Sequence, residues 1–292
     1  MIEYRKNNYF RPTGTGSIFN IDISPILREP KTYCEELILN AQQIWENKEG
    51  KVYILYSGGI DSEVMLEVFL SLKMDFTPVI VDLQPNLNKH DLDYAFKYCK
   101  KRNIQPLVIS INLVDFAKSD EFLTIADLAE TGTVEYIPTM KAALSLDGTV
   151  LCGNEEPYLS PENGLWYYQE KETWTSWGVL YKKGILTGTS AFHTWTPESL
   201  LAFMLDPTII ELGNNRLPGK LGSFSSRSAV YGRMFPLDPR PKFTGWEHIN
   251  TLDEINSLDN IKILKKRRTT NNGLFKIEYN TLVSLLKGNY GS

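Results

Sequence analysis

Cysteine is scarce in this chain of 292 residues: three in all, Cys34, Cys99 and Cys152, far apart and without a C-x-x-C pair. That spacing suggests neither a disulfide framework nor a zinc ribbon, and leaves reduced thiols as the expectation. Histidine is as rare, and His90, His193 and His248 stand isolated with no ligand partner at metal spacing, so packed or surface histidines are expected rather than a zinc site. Neither charge dominates. Thirty-one Lys and Arg against 35 Asp and Glu leave a net charge of -4, which gives no electrostatic signal for a nucleic-acid partner. No apolar run approaches the ~20 residues that span a bilayer, and the first 20 residues contain no long apolar stretch, so no membrane partner is expected and the cytoplasm is the expected location. Two nucleotide signatures are also missing: there is no G-x-x-x-x-G-K-[ST] and no G-x-G-x-x-G.

What is present is a chain with 42% hydrophobic residues, enough for a sizeable core, whose first half alternates strand-like and helix-like runs. "TYCEELILNAQQIWENK" has apolar residues at helical spacing and stops at Gly50. "VYILYS", Val52 to Ser57, is short, β-rich and almost wholly apolar, as a strand buried on both faces of a parallel sheet is. The spacing predicts a helix over "DSEVMLEVFLSL", a strand over Thr77 to Leu83, a helix with a basic last turn over "HDLDYAFKYCKKRN", and a strand over Pro106 to Leu113. A helix near "PTMKAALSLDG" then leads to a strand from Thr149 to Gly153. Such alternation implies an α/β fold with a parallel sheet. Beyond about residue 160 the texture is aromatic, turn-rich and weakly periodic. Thr196 and Pro197 read as the N-cap and N1 of a helix, Thr251 and Glu254 as a capping box, and "KIEYNTLVSLLKG" as a closing helix. "KILKKRR", Lys262 to Arg268, reads as a solvated face or strand.

The most informative segment is "SGGIDS", Ser57 to Ser62, between the apolar strand and the helix. Glycines permit positive φ and let backbone N–H groups close on an anion, two serines add hydroxyls, and the helix aims the positive end of its dipole at the same point. The segment is therefore an anion cradle by its chemistry.

In that strand-turn-helix setting the same six residues resemble the S-G-G-x-D-S loop of the PP-loop ATP pyrophosphatases, a family that includes asparagine, GMP and NAD synthetases and several tRNA-modifying enzymes. The resemblance covers roughly residues 50 to 160. It implies an adenine nucleotide alpha-hydrolase-like fold: an α/β parallel sheet with flanking helices, plus an irregular mixed C-terminal region. The expected organisation is an N-terminal arm and helix over 1–50, an ATP-binding domain over 51–160, and a substrate-binding or lid region completing the fold over 161–292. The implied chemistry cleaves ATP between its α and β phosphates, adenylates a small-molecule or nucleobase acceptor, releases pyrophosphate, and lets a nitrogen nucleophile displace AMP. ATP and Mg²⁺ are the implied cofactors.

Carried over residue by residue, the resemblance assigns Ser57, Gly58, Gly59 and Ser62 to the pyrophosphate, counts Ile60 among the nucleotide-binding residues, and makes Asp61 a candidate Mg²⁺ ligand, the alternative being an ordinary first-turn acid. Asp82, ending the second strand, is a candidate nucleotide or metal contact, or else a turn acid. "VLCGNEEPYLS" resembles the metal-binding segment of the asparagine synthetase domain, with Gly153 near pyrophosphate and Glu155 and Glu156 as candidate Mg²⁺ ligands. The family's C-terminal cation points to Lys242 and Arg240, with Lys220 and Arg227 behind them, among six basic residues that also include Arg216 and Arg233. "LWYYQEKETWTSW", with Trp166, Trp174 and Trp177, can stack a planar substrate or pack two hairpin strands. There is no cysteine at position 2 to serve a glutaminase, so a free or separately supplied ammonia or amine donor is implied. Two enzymatic alternatives stay open, a sulfurtransferase and an adenylylsulfate reductase-like enzyme, and so does a non-catalytic nucleotide-binding sensor.

Overall fold

The computed structural model describes residues 2–6, 19–154, 157–171, 176–214, 223–238, 245–270 and 273–288. The chain opens with an antiparallel pair, β1 (Ile2–Lys6) and β2 (Phe19–Ile23), followed by α1 (Tyr33–Glu46), which starts at the Thr32–Glu35 capping box. Then come β3 (Lys51–Leu55), α2 (Ile60–Ser71), β4 (Thr77–Gln84), α3 (Lys89–Arg102) and β5 (Leu107–Asn112). Two helices, α4 (Leu113–Lys118) and α5 (Asp120–Leu128), and a 3₁₀ turn at Val134–Tyr136 lead to α6 (Ile137–Leu144) and β6 (Gly148–Leu151). A hairpin of β7 (Leu159–Glu162) and β8 (Leu165–Lys171) precedes α7 (Ser176–Lys182) and β9 (Thr187–Thr189). After a 3₁₀ turn at Phe192–Thr194 the rest is mainly helical: α8 (Pro197–Met204), α9 (Pro207–Asn214), α10 (Ser223–Met234), α11 (Gly245–Ile249), α12 (Asp253–Asn256) and α13 (Asp259–Thr270), then β10 (Leu274–Glu278) and α14 (Tyr279–Leu286).

The central sheet is five-stranded and parallel, in the order β5-β4-β3-β6-β9, so the expected α/β fold class is the one observed. Its buried strands carry apolar residues on both faces. On β3, Val52 and Ile54 pack into one core while Tyr53 and Leu55 pack into the other, the period-two alternation of a strand covered on both sides. The first core holds α1, α2, α3, α8, α10 and α14; the second holds α4 to α7 and α11 to α13. Each fully buried Leu, Ile or Val contributes about 1.5–3 kcal/mol of transfer free energy, so β3 is held from two sides. A separate antiparallel sheet, β10-β8-β7, adds Leu159, Trp166 and Tyr168 to the first core.

The parallel sheet extends past residue 160, because β9 pairs with β6 through Thr149–Thr187, Val150–Gly188 and Leu151–Thr189. Of the two readings of 262–268, the strand does not hold and the solvated face does: the segment is part of α13, with Lys262, Lys265, Lys266 and Arg268 exposed. Thr196 caps α8 as expected, accepting a hydrogen bond from the Ser199 amide. Thr251 does not cap: α12 starts at Asp253 behind Leu252, and the Thr251 hydroxyl instead donates to the His248 carbonyl at the end of α11. The closing helix begins only at Tyr279, since Lys276 to Glu278 belong to β10.

Candidate functional site

The chain leaves β3 for β4 on one side of it and returns through β6 on the other, so a crevice opens beyond the carboxyl ends of β3 and β6, where open α/β sheets bind ligands. The Ser57–Ser62 turn lies at that point. Gly58 takes φ +81°, and a Cβ placed on it would sit 2.4 Å from the Asp91 carbonyl oxygen of α3. Gly59 is the extended N-cap of α2 and offers no side chain to the first turn, so the turn's N–H groups depend on another acceptor. The Ser57 and Ser62 hydroxyls stand 3.5 Å apart, and Ser62 donates to the Gly59 carbonyl at 3.1 Å. Backbone amides of the α2 first turn, two hydroxyls and a twelve-residue helix dipole thus converge on one spot.

Neighbouring elements fix this turn. Asn88, at the start of α3, accepts from the Leu83 amide at 2.9 Å and donates to the Val81 carbonyl at 2.8 Å, locking α3 to the end of β4. Asp91 accepts from the Gly245 amide at 2.7 Å, which joins α11 to the same corner, and burial pushes its carboxyl above the usual carboxylate range. On the opposite side, a Cβ on Gly153 would crowd Met65 Sδ at 3.0 Å and lie 3.7 Å from His193 Nε2.

His193 is fully buried. Its Nε2 lies 3.1 Å from the Asp61 carbonyl, which can only accept, so Nε2 carries the proton and Nδ1 accepts from the Tyr231 hydroxyl at 3.3 Å. Burial lowers its pKa from 6.5 to about 4, opposed by the nearby Asp61 charge, so the imidazole is neutral at physiological pH. The Tyr231 ring stacks on it at 5.5 Å. One turn earlier on α10, Arg227 Nε lies 3.1 Å from Asp61 Oδ1, with side chains 5% and 19% exposed. α10 therefore grips Asp61 twice, at its carboxylate and, through His193, at its backbone.

The turn floors a cleft of about 660 Å³. Of the residues expected to bind nucleotide or metal, Ser57, Gly58, Gly59, Ile60, Asp61, Ser62, Gly153 and Arg227 line this cleft. Asp82 is not among the residues lining it; its carboxylate accepts from Gln84 and from the Ser110 hydroxyl of β5. Glu155, Glu156, Lys220, Arg240 and Lys242 lie outside the described residues, as do Arg216 and Trp174. Arg233 pairs with Asp206. Trp177 lines the cleft, whereas Trp166, on β8 of the hairpin, is buried in the first core. His193, Tyr231, Asn88 and Glu135 carry no motif that marks them, and only the fold brings them to the site.

Among the described residues no group of three or more His, Cys, Asp or Glu is placed to hold a metal. One carboxylate suffices for Mg²⁺ when substrate phosphates complete its shell. Asp61 Oδ1 fits that role: it is buried and, beyond the Arg227 ion pair, has no hydrogen-bond partner among the described residues. No described helix is long and apolar enough to cross a membrane.

No family model matches the sequence, and no curated protein is similar to it. The chain is similar in structure to an NH3-dependent NAD synthetase from Campylobacter jejuni subsp. jejuni NCTC 11168, solved in complex with the nitrate ion. Identity is 16%, the match covers 72% of this chain and 96% of that one, and the TM-score is 0.30. It is also similar to NMN synthetase from Francisella tularensis, at 18% identity over 72% of this chain and 98% of that one, with a TM-score of 0.31. Likenesses this distant carry no functional argument, which rests on the loop and its cleft.

Proposed function

We propose that the protein is an ATP pyrophosphatase that adenylates a small-molecule or nucleobase acceptor and passes it to a nitrogen nucleophile. The observation that carries this reading is the Ser57–Ser62 turn, bare of side-chain caps, at the floor of a cleft at the sheet's crossover point. An acceptor oxygen attacks the α phosphorus, the bond to the bridging α–β oxygen breaks, and pyrophosphate leaves with the negative charge. The amides of the α2 first turn and the hydroxyls of Ser57 and Ser62 receive that charge, and they are already in place before reaction. One such donor is worth about 3 kcal/mol of barrier.

Asp61 would hold Mg²⁺ together with phosphate oxygens, and bound Mg²⁺ supplies Lewis-acid stabilisation of the leaving group. Arg227 then exchanges its carboxylate partner for a phosphate oxygen, a move its place beside the turn allows. The nitrogen nucleophile enters as a free or separately supplied ammonia or amine.

The Arg227–Asp61 pair also favours a second reading, a nucleotide sensor in which the arginine stands where a metal would. ATP labelled at the α phosphate, incubated with the protein, Mg²⁺ and a pooled metabolite and nucleoside extract, separates the two. AMP with pyrophosphate, lost in Asp61→Asn, is the expected result. Bound but unchanged ATP supports the sensor, and ADP overturns both.

A further inference from the structure

Two residues that line the cleft have buried polar atoms without hydrogen-bond partners among the described residues: Trp177 Nε1 on α7 and Glu135 Oε2 on the 3₁₀ turn. They belong to one local framework. The Ser176 hydroxyl donates to Thr131 Oγ1 at 2.8 Å and the Thr133 amide donates to the same oxygen at 3.0 Å, which ties the start of α7 to the segment carrying Glu135. Arg268 of α13 holds the other Glu135 oxygen at 2.8 Å, so the carboxylate is anchored by one atom while the second has no partner among the described residues. Trp177 is 1% exposed, which excludes bulk water as the routine partner of its N–H. Buried polar groups are nearly always hydrogen-bonded, and a donor and an acceptor both left without partners on residues that line one cleft call for a ligand that supplies both.

Resting on the reading of this cleft as a nucleotide site, we propose that Trp177 and Glu135 form a subsite for a planar nitrogen-bearing edge, an acceptor atom beside an N–H donor, as in a nucleobase or a carboxamide. The indole N–H donates to the ligand's acceptor, and Glu135 Oε2 accepts from its N–H. A ligand carboxylate is rejected there, because it brings no donor and meets the Glu135 charge. Tyr136 and Trp246, which line the same cleft, suit the faces of a flat group. The edge has two possible sources: the adenine of the nucleotide, or the acceptor substrate.

The test follows the indole N–H resonances of the ¹⁵N-labelled full-length protein, in which Trp177 is the one of six tryptophans whose signal disappears in Trp177→Phe. The probes are adenosine, cytidine, benzamide, benzoate and inorganic triphosphate. A downfield shift of the Trp177 signal by adenosine alone assigns the subsite to the nucleotide base; a shift by cytidine or benzamide assigns it to the second substrate. In either case Glu135→Gln weakens the shifting ligand by about tenfold or more. The proposal is overturned if none of the three moves the signal, if benzoate moves it as benzamide does, or if Glu135→Gln binds with unchanged affinity. Triphosphate binding that survives Trp177→Phe keeps the loop reading standing when the base arm fails, and loss of triphosphate binding in the unmodified protein removes the loop reading itself.

Discussion

Gly58→Ala tests the turn because the chain contains its own control. Gly58 and Gly164 have almost the same backbone, φ +81° and +79°, but a Cβ on Gly58 lands 2.4 Å from the Asp91 carbonyl oxygen while one on Gly164 meets nothing within 4 Å. Alanine in a left-handed conformation costs about 1 kcal/mol at either site. At Gly58 the overlap adds to this: α3 must retreat by about 1 Å to restore van der Waals contact. The Asn88 bonds to β4 and the Asp91 bond to Gly245 resist that retreat. Overpacking of this kind adds about 2 kcal/mol, for a total near ~3 kcal/mol. At an unfolding entropy of about 2.1 cal/mol/K per residue, Gly58→Ala lowers the melting temperature by about 5 °C and Gly164→Ala by about 2 °C. Calorimetry reads the difference directly. Pyrophosphate titration of the same two variants completes the assay, with Gly58→Ala losing about tenfold or more in affinity through a displaced donor and Gly164→Ala losing none. Equal melting shifts, or unaltered pyrophosphate binding by Gly58→Ala, would refute the reasoning.

Two further outcomes follow from α10. Arg227→Met leaves Asp61 buried without its counter-charge and destabilises the protein by about 3 kcal/mol, while adding Asp61→Asn restores most of that loss; strictly additive effects in the double-mutant cycle would show the pair is not coupled. His193 stays neutral when folded down to about pH 4 but titrates near 6.5 when unfolded, so the unfolded state takes up the extra proton as pH falls between these values. Its contribution is complete above pH 6.5 and is lost on acidification, by about 2 kcal/mol at pH 5, so denaturant midpoints of His193→Gln fall less steeply from pH 7 to 5 than those of the unmodified protein.

The part of the fold that reads directly from sequence is the part in which local pattern and tertiary role agree. β3 and β4 are apolar because both faces are covered, and α2 is apolar nearly all round because it is buried nearly all round. β9 has only three residues, Thr-Gly-Thr, too few for any period, and is a strand only because β6 offers it an edge. Asp82 lies inside β4, two residues before its end, and an acid there can turn to a neighbouring strand as readily as to a ligand; Ser110 and Gln84 are its partners here. His193 reads as an isolated histidine; its significance arises 132 residues from Asp61, through a contact that no spacing rule encodes.

That distance also sets the order in which the site can be assembled. The turn and the strands that flank it, β3 and β4, are close in sequence and can form early, but the groups that hold Asp61 come from residues 193, 227 and 231. A chain growing from its N-terminus therefore displays the glycine turn long before the side chains that discipline it exist. Any fragment that ends ahead of α10 carries the whole sequence signature and only half of the physical site.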